Sequence, residues 1–431
     1  MEERLLKLHA AVGGKSFVGI KFLENNIDFY YPETFDWKED VSFVDINSIS
    51  DNISNGIRNI LSSIELAKTR SIDKSKLNDF SDADELFAMK AYIWIIQDYM
   101  CNGYYKNRET IYRKNQNGRI NWKHTLRNQP IYSNGSFIFN DFISSTKSSV
   151  DNLLVEIHRF CVRKSIFLIG WLFNIPSASM EIKNLTDIVL SDTIKKQYVY
   201  ALKYELDRTF DDEKKMRLSN MLDVVEGLNK SQNGCLSYGV DSYHYVFEQM
   251  IDNIYGTLKG KEKEQYFPCG KWSNGMDASP LIPDTIHHIP ESNTYIIIDA
   301  KYYRYSFEGY IEENTNGLPG TDSIQKQLTY GDKLLEVLSN QGLSPNIYNC
   351  FLLPFNMNIK YSNIKPDNYI LYSGVYGWGS WRQKKETYDR IYIFLIDMRT
   401  IIEIWNNRNH DCEQKYLSDL LNKTKESPSG K

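Results

Sequence analysis

The sequence predicts an α/β protein: a C-terminal domain built on a mixed sheet flanked by helices, preceded by a mainly helical region and a small β-containing N-terminal module. Three observations carry that reading. At 431 residues the chain exceeds what one ordinary hydrophobic core serves, so two or three packed units are expected. Between Asp82 and about Lys230 apolar residues recur every three or four positions, the period of a helix face. After Gly234 the pattern changes to helix, strands, helix, strands, the order of a sheet with helical cover.

Taken in order, the N-terminal module spans residues 1–75 and holds two strand-like runs, 17–22 (FVGIKF) and 27–31 (IDFYY), rich in β-branched and aromatic residues. The helical region spans 76–235. Leu86, Met89, Ile93, Ile96 and Met100 step by three and four and predict one buried helix face. Leu154, Ile157, Cys161 and Leu168 form a second stripe, on a helix expected to end near Asn174 because Pro176 follows. The last domain spans 236–422. It opens on a predicted helix at 242–258, continues through strands at 281–288, 294–303, 347–354 and 390–396, and carries a helix at 322–340 between the second and third. The polar tail 423–431 is expected to fray.

A hydrophobic fraction of 42% and a charged fraction of 25% exclude a wholly disordered chain. Acidic residues open the sequence and no signal-type stretch follows, which predicts a cytoplasmic location. The most apolar window, 165–173 (SIFLIGWLF), is about half of a membrane span and reads as a buried helix. Six scattered cysteines without a CxxC pair exclude a zinc knuckle or a disulfide framework. The net charge of -4 requires that any nucleic-acid surface be locally basic.

The chemistry concentrates in 279–303, SPLIPDTIHHIPESNTYIIIDAKYY. Asp299 and Lys301 are two apart on a strand, so they share a face while Ala300 points to the other. A turn centred on Glu291 and Ser292 makes paired residue numbers sum to 583, which sets Asp284 opposite Asp299. Opposed side chains on antiparallel strands lie roughly 4.5–5.5 Å apart at Cβ. Two carboxylates at that separation repel unless a proton or a cation intervenes, and a hard divalent ion such as Mg²⁺ suits an all-oxygen site. With Lys301 balancing charge on a phosphate, the arrangement predicts phosphodiester hydrolysis. Glu248, beside the apolar face of the preceding helix, is a candidate fourth catalytic member that holds water next to the metal.

Pro283-Asp284 followed by Asp299-Ala300-Lys301 resembles the PD-(D/E)XK nuclease signature. By that resemblance the Ala300 carbonyl joins Asp284 and Asp299 as a metal ligand. IIIDAKYY at 296–303 and SIQKQLTYGDKL at 323–334 are similar to the nuclease part of McrC and of LlaJI-type restriction endonucleases, and set Gln327 and Tyr330 near the site. The segment 118–127, with Gly118, Arg119, Ile120, Asn121, Trp122, Thr125, Leu126 and Arg127, is similar to one that McrC proteins carry before their nuclease domain. The LlaJI-type likeness is the closer, in length and in the run SPLIPDTI. The resemblance implies a restriction endonuclease acting on DNA with an AAA+ GTPase of the McrB kind, and a cognate methyltransferase in the same system.

Plainer readings stand beside these. Asp and Lys on one strand face also make a solvated ion pair, which the flanking matches argue against. His287 and His288 alternate across the strand, so at most one faces the site. Gln327 and Tyr330 also suit packing, and Arg119 and Trp122 suit interdomain contact. Gly13-Gly14-Lys15-Ser16 lacks the first glycine of a phosphate loop, whose place His9 takes, and a strand-like run follows it. The rival function is a non-catalytic subunit that binds DNA or regulates a motor protein.

Overall fold

The structure is a computed structural model of the chain, and the description covers residues 5–11, 17–23, 26–35, 37, 43–70, 88–115, 119–150, 153–175, 190–227, 236–302, 317–356, 369–383, 386–407 and 411–426. Gly13 to Ser16 and Tyr303 lie outside it. Two compact units emerge, one of residues 2–84 with 235–431 and the other essentially 85–234.

The chain opens with β1 (Leu5–Ala11), β2 (Val18–Phe22), β3 (Asn26–Pro32) and β4 (Phe43–Asp45). Leu6, Leu8, Ile20, Phe22, Ile27 and Phe29 point into the core at the period of two that a half-buried strand requires. A helix, α1 (Asp51–Arg70), follows where the sequence reading placed only a β-containing module. Its buried stripe of Ile53, Ile57, Ile60, Ile64 and Ala67 keeps strict helical spacing, and Ser54 and Ser63 are buried with it.

Residues 85–234 hold α2 (Met89–Asn102), β5 (Asn107–Lys114), β6 (Arg119–Ile120), α3 (Trp122–Thr125), β7 (Ile131–Ser133), β8 (Ser136–Ile138), β9 (Ile143–Val150), α4 (Leu153–Ile169), α5 (Asp192–Arg208) and α6 (Asp212–Glu226). Four long helices run through this unit, together with the sheet β5-β9-β6 and the hairpin β7-β8, which the sequence reading did not expect there. Asn134 and Gly135, both at positive φ, make the two-residue turn of that hairpin. The α2 face also differs from the expected stripe: Tyr92, Ile95 and Ile96 are buried, whereas Met100 is 62% exposed. In α4 all four expected positions are buried, and the helix tightens into a 3₁₀ turn at Gly170–Phe173 capped by Asn174 in the left-handed conformation.

The remaining elements are β10 (Leu236–Val240), α7 (Tyr243–Tyr255), α8 (Gly260–Glu264), β11 (Thr285–Ile289), β12 (Thr294–Ala300), α9 (Thr321–Asn340), β13 (Asn346–Phe355), β14 (Ile370–Gly377), β15 (Ile391–Asp397), α10 (Met398–Asn407) and α11 (Asp411–Glu426). β10 completes the first sheet, in the order β10-β2-β3-β1-β4. Gly19 faces Gly239 across that pairing. A Cβ on Gly19 would lie 2.2 Å from the Tyr238 carbonyl oxygen, so the close approach requires glycine.

The second sheet runs β11-β12-β13-β15-β14, with β12, β13 and β15 parallel and the two edges antiparallel. β12 (TYIIIDA) is buried along its whole length, as a continuous apolar run covered on both faces should be. On one face Ile286, Tyr295, Ile297 and Ile347 pack with Tyr330, Leu334 and Leu338 of α9. On the other, His287 ties β11 to α7 through the Tyr255 carbonyl at 3.0 Å and to α11 through Ser418 Oγ at 3.1 Å. α11 continues to Glu426, so the tail expected to fray from 423 is helical for a further turn. Among the described residues no helix is long and apolar enough to cross a membrane.

Candidate active site

The site forms where β12 leaves the sheet. β11 and β12 meet around a turn of Pro290–Ser292, with Asn293 in the left-handed conformation, and Thr285 pairs with Ile298 while Ile289 pairs with Thr294. Every pair sums to 583, the register expected from the turn. One step further, Asp284 stands across from Asp299.

Asp284 is fixed from two directions. The Ala300 N–H donates to its Oδ2 at 3.1 Å, and the Lys263 ammonium donates to its backbone carbonyl at 2.6 Å. Asp299 is 4% exposed, and Lys301 Nζ lies 2.8 Å from its Oδ2. The Lys301 N–H donates to the Leu352 carbonyl at 2.9 Å, which carries the parallel ladder beyond Ala300 and holds the lysine at a fixed height. An acid, its opposing acid and an ammonium thus converge on the α9 face of the sheet.

The charge at this point is unbalanced. The Asp284 carboxyl is pushed well above its usual range by loss of hydration, then by the charge of Asp299 and a hydrogen bond to it, then by Glu248, with Lys301 opposing. Three carboxylates therefore influence a site that one lysine offsets. Such a pair of oxygen donors with surplus negative charge fits a hard divalent cation. Among the described residues no three His, Cys, Asp or Glu side chains converge closely enough to enclose a metal by themselves. Glu248 therefore acts on the pair through charge, and a cation held by Asp284 and Asp299 would need the Ala300 carbonyl, water or a phosphate oxygen to complete its shell.

Of the other residues singled out in the sequence, Tyr330 feels the charges of both acids. Burial, then the charges of Asp299 and Asp284, push its phenol upward, so it stays a neutral hydroxyl beside the acids. Gln327 is fully buried and turned to the sheet instead: its Nε2 donates to the Ile297 carbonyl at 2.9 Å. His287 is spent on the contacts that join α7 and α11, and His288 stacks on Tyr295 with centroids 4.1 Å apart. Arg119 and Trp122 are exposed in the other compact unit. The residue that sequence reasoning missed is Lys263, which donates to a backbone carbonyl and pairs with Asp252 of α7 at 3.6 Å, contacts that no motif or spacing marks.

The sequence model of the LlaJI restriction endonucleases matches residues 17–367, a stretch that contains Asp284, Asp299, Lys301 and the upstream 118–127 segment. The chain belongs to the LlaJI restriction endonuclease family. This LlaJI-family chain is similar to a Bacillus subtilis (strain 168) protein described as type II restriction enzyme BsuMI component YdjA, with 26% identity over 309 residues. That match covers 67% of this chain and 63% of the relative, so the chain spans less than two thirds of the relative's length. Among solved structures, the LlaJI-family chain is similar to a half-complex of Thermococcus gammatolerans McrB AAA+ hexamers with bound McrC, at 13% identity and a TM-score of 0.37, covering 91% of this chain and 81% of that one. It is also similar to the Thermococcus gammatolerans McrBC complex, at 13% identity and a TM-score of 0.24, covering 55% and 64%. At those scores neither likeness bears on the fold, which rests on the LlaJI-family chain's own strand order.

Proposed function

We propose that this chain is the DNA-cleaving subunit of a restriction system, hydrolysing phosphodiester bonds at a PD-(D/E)XK-type site that uses a divalent ion, Mg²⁺ by preference. The observation that carries the reading is the opposition of Asp284 and Asp299 at the end of a fully buried strand, with Lys301 paired to Asp299. Membership of a restriction endonuclease family supports it.

Asp284, Asp299 and the Ala300 carbonyl are the groups that would hold the ion. When bound, a divalent ion supplies Lewis-acid polarisation of the phosphate and lowers the pKa of water. The chain's own residues do the rest. The Ala300 N–H locks the Asp284 carboxyl, so its oxygens need no reorganisation at the moment of reaction. Lys301 offsets the charge that develops on the phosphorane-like transition state and orients the attacking water. Glu248 keeps the local field negative and holds water at the margin of the site. Tyr330 keeps its phenolic proton, so it can donate a hydrogen bond and does not act as a base.

DNA is the substrate in this reading. A McrB-like AAA+ GTPase is the motor partner and a methyltransferase completes the system, both on the strength of the family resemblance. Lys301→Met is the informative variant because it leaves both carboxylates in place. It should retain Mn²⁺ binding by calorimetry while cutting plasmid DNA about 10²–10³-fold more slowly, the loss expected for one transition-state contact. Cutting at the wild-type rate would remove Lys301 from the mechanism.

A further inference from the structure

Between Phe267 and Asp284 the chain makes a small hairpin that the nuclease core does not explain. Trp272 is 64% exposed and Met276 59%, and residues 271–277 are exposed throughout. The loop is nevertheless built. Lys271 and Asp277 form an antiparallel bridge, the Trp272 N–H donates to the Met276 carbonyl at 2.8 Å, and the Ala278 N–H donates to Gly270 at 2.7 Å. Gly275, at φ +85, makes the turn, and the Met276 N–H donates to Asn274 Oδ1 at 3.1 Å. Two large apolar side chains are thus held out into water by backbone hydrogen bonds.

Both feet of the hairpin stand on the core that carries the acids. Phe267 packs edge-on against Tyr330 with centroids 6.0 Å apart, and Leu281 and Ile282 lie against the same cluster. Asp284 follows Met276 by eight residues. Eight residues reach at most about 28 Å, less than the ~34 Å of one duplex turn. The tip therefore stays within a turn of whatever phosphate the acids engage. The major groove of duplex DNA, roughly 12 Å wide, admits a two-stranded ribbon. The seven exposed residues 271–277 are far fewer than the roughly 20–30 per side of a standard protein interface.

Resting on the nuclease reading, we propose that this hairpin enters a groove of duplex DNA beside the scissile phosphate, where Met276 wedges at a base step and Trp272 stacks on the exposed base. Apolar wedges unstack base steps, and aromatic stacking tolerates any sequence. The hairpin thus grips and deforms the DNA next to the cut without dictating the recognised sequence.

The test uses the full chain, relaxed closed-circular plasmid, and Ca²⁺ to allow binding without turnover. Wild-type protein should unwind the plasmid. The double variant Trp272→Ala/Met276→Ala should bind at least about tenfold more weakly and lose the unwinding, and Trp272→Phe should retain most of both. Circular dichroism and thermal midpoint should not change, since both residues are exposed. Wild-type affinity and unwinding in the double variant would overturn the proposal, as would a loss confined to self-association or to binding of a protein partner. If Asp299→Ala still cuts while the double variant binds weakly, the catalytic reading fails and the DNA contact stands.

Discussion

Burial decides what an ionisable residue contributes, and two residues of this chain show it in opposite senses. At Asp284 burial and like charge disfavour the ionised form, so the site stores repulsion that a cation would relieve. At Lys164 burial is complete, and loss of hydration pushes the ammonium well below its ordinary value near 10.5, with Lys195 lowering it further and Cys161 opposing. Its Nζ donates to the Val224 carbonyl at 2.9 Å, near the end of α6. The folded pKa lies below the unfolded one, so between the two values the unfolded chain binds the extra proton and stability rises with pH. Urea midpoints should therefore climb as pH rises toward the unfolded value near 10.5, and Lys164→Met should flatten that climb. An unchanged slope in the variant would assign the pH response to other groups. The pattern of apolar residues in 165–173 announced a buried helix, but not that a lysine would be buried with it.

Elements were legible where their period was regular. α9, the β11-β12 register and the α4 terminus follow from apolar spacing, a two-residue turn centre and a following proline. β14 does not: its pairing with β15 shifts register between Tyr372 and Tyr376, and Gly374 sits at φ +80, so the alternation breaks mid-strand. β5 and β9 (NRETIYRK, ISSTKSSV) are polar at nearly every position and carry no face to detect. α1 hides behind Asn, Ser and Gly56, where a Cβ would meet the Trp37 ring at 2.6 Å. Apolar packing seats α9 on the sheet, and a polar latch that periodicity does not show adds to it. Asn349, fully buried, donates to the Gln327 carbonyl at 3.0 Å and to the Tyr388 carbonyl at 2.9 Å. Asn349→Leu leaves these without their partner and should cost about 1–3 kcal/mol in chemical denaturation. A loss below a few tenths would show that the latch does not hold the helix.

For the whole molecule, the arrangement depends on closures that local sequence does not encode. β10 returns to the N-terminal sheet from more than 200 residues away, so residues 2–84 share a compact unit with 235–431. Pairing at that separation has no signature in either segment alone. The candidate site was more legible than the fold around it, because Asp284, Asp299 and Lys301 all belong to one hairpin and its continuation, and a hairpin's register follows from its turn. Lys263 and Tyr330 reach the same place from elements far apart in sequence, and only tertiary packing brings them there. The central claim is that this hairpin cuts DNA, and the direct measurement is plasmid cleavage with Mg²⁺ by wild-type protein and Asp299→Ala at matched folding, each with and without the proposed McrB-like motor protein. The account predicts that the wild type cuts in at least one condition, that chelating the ion stops it, and that Asp299→Ala is inactive in both. Equal cutting by Asp299→Ala would contradict it.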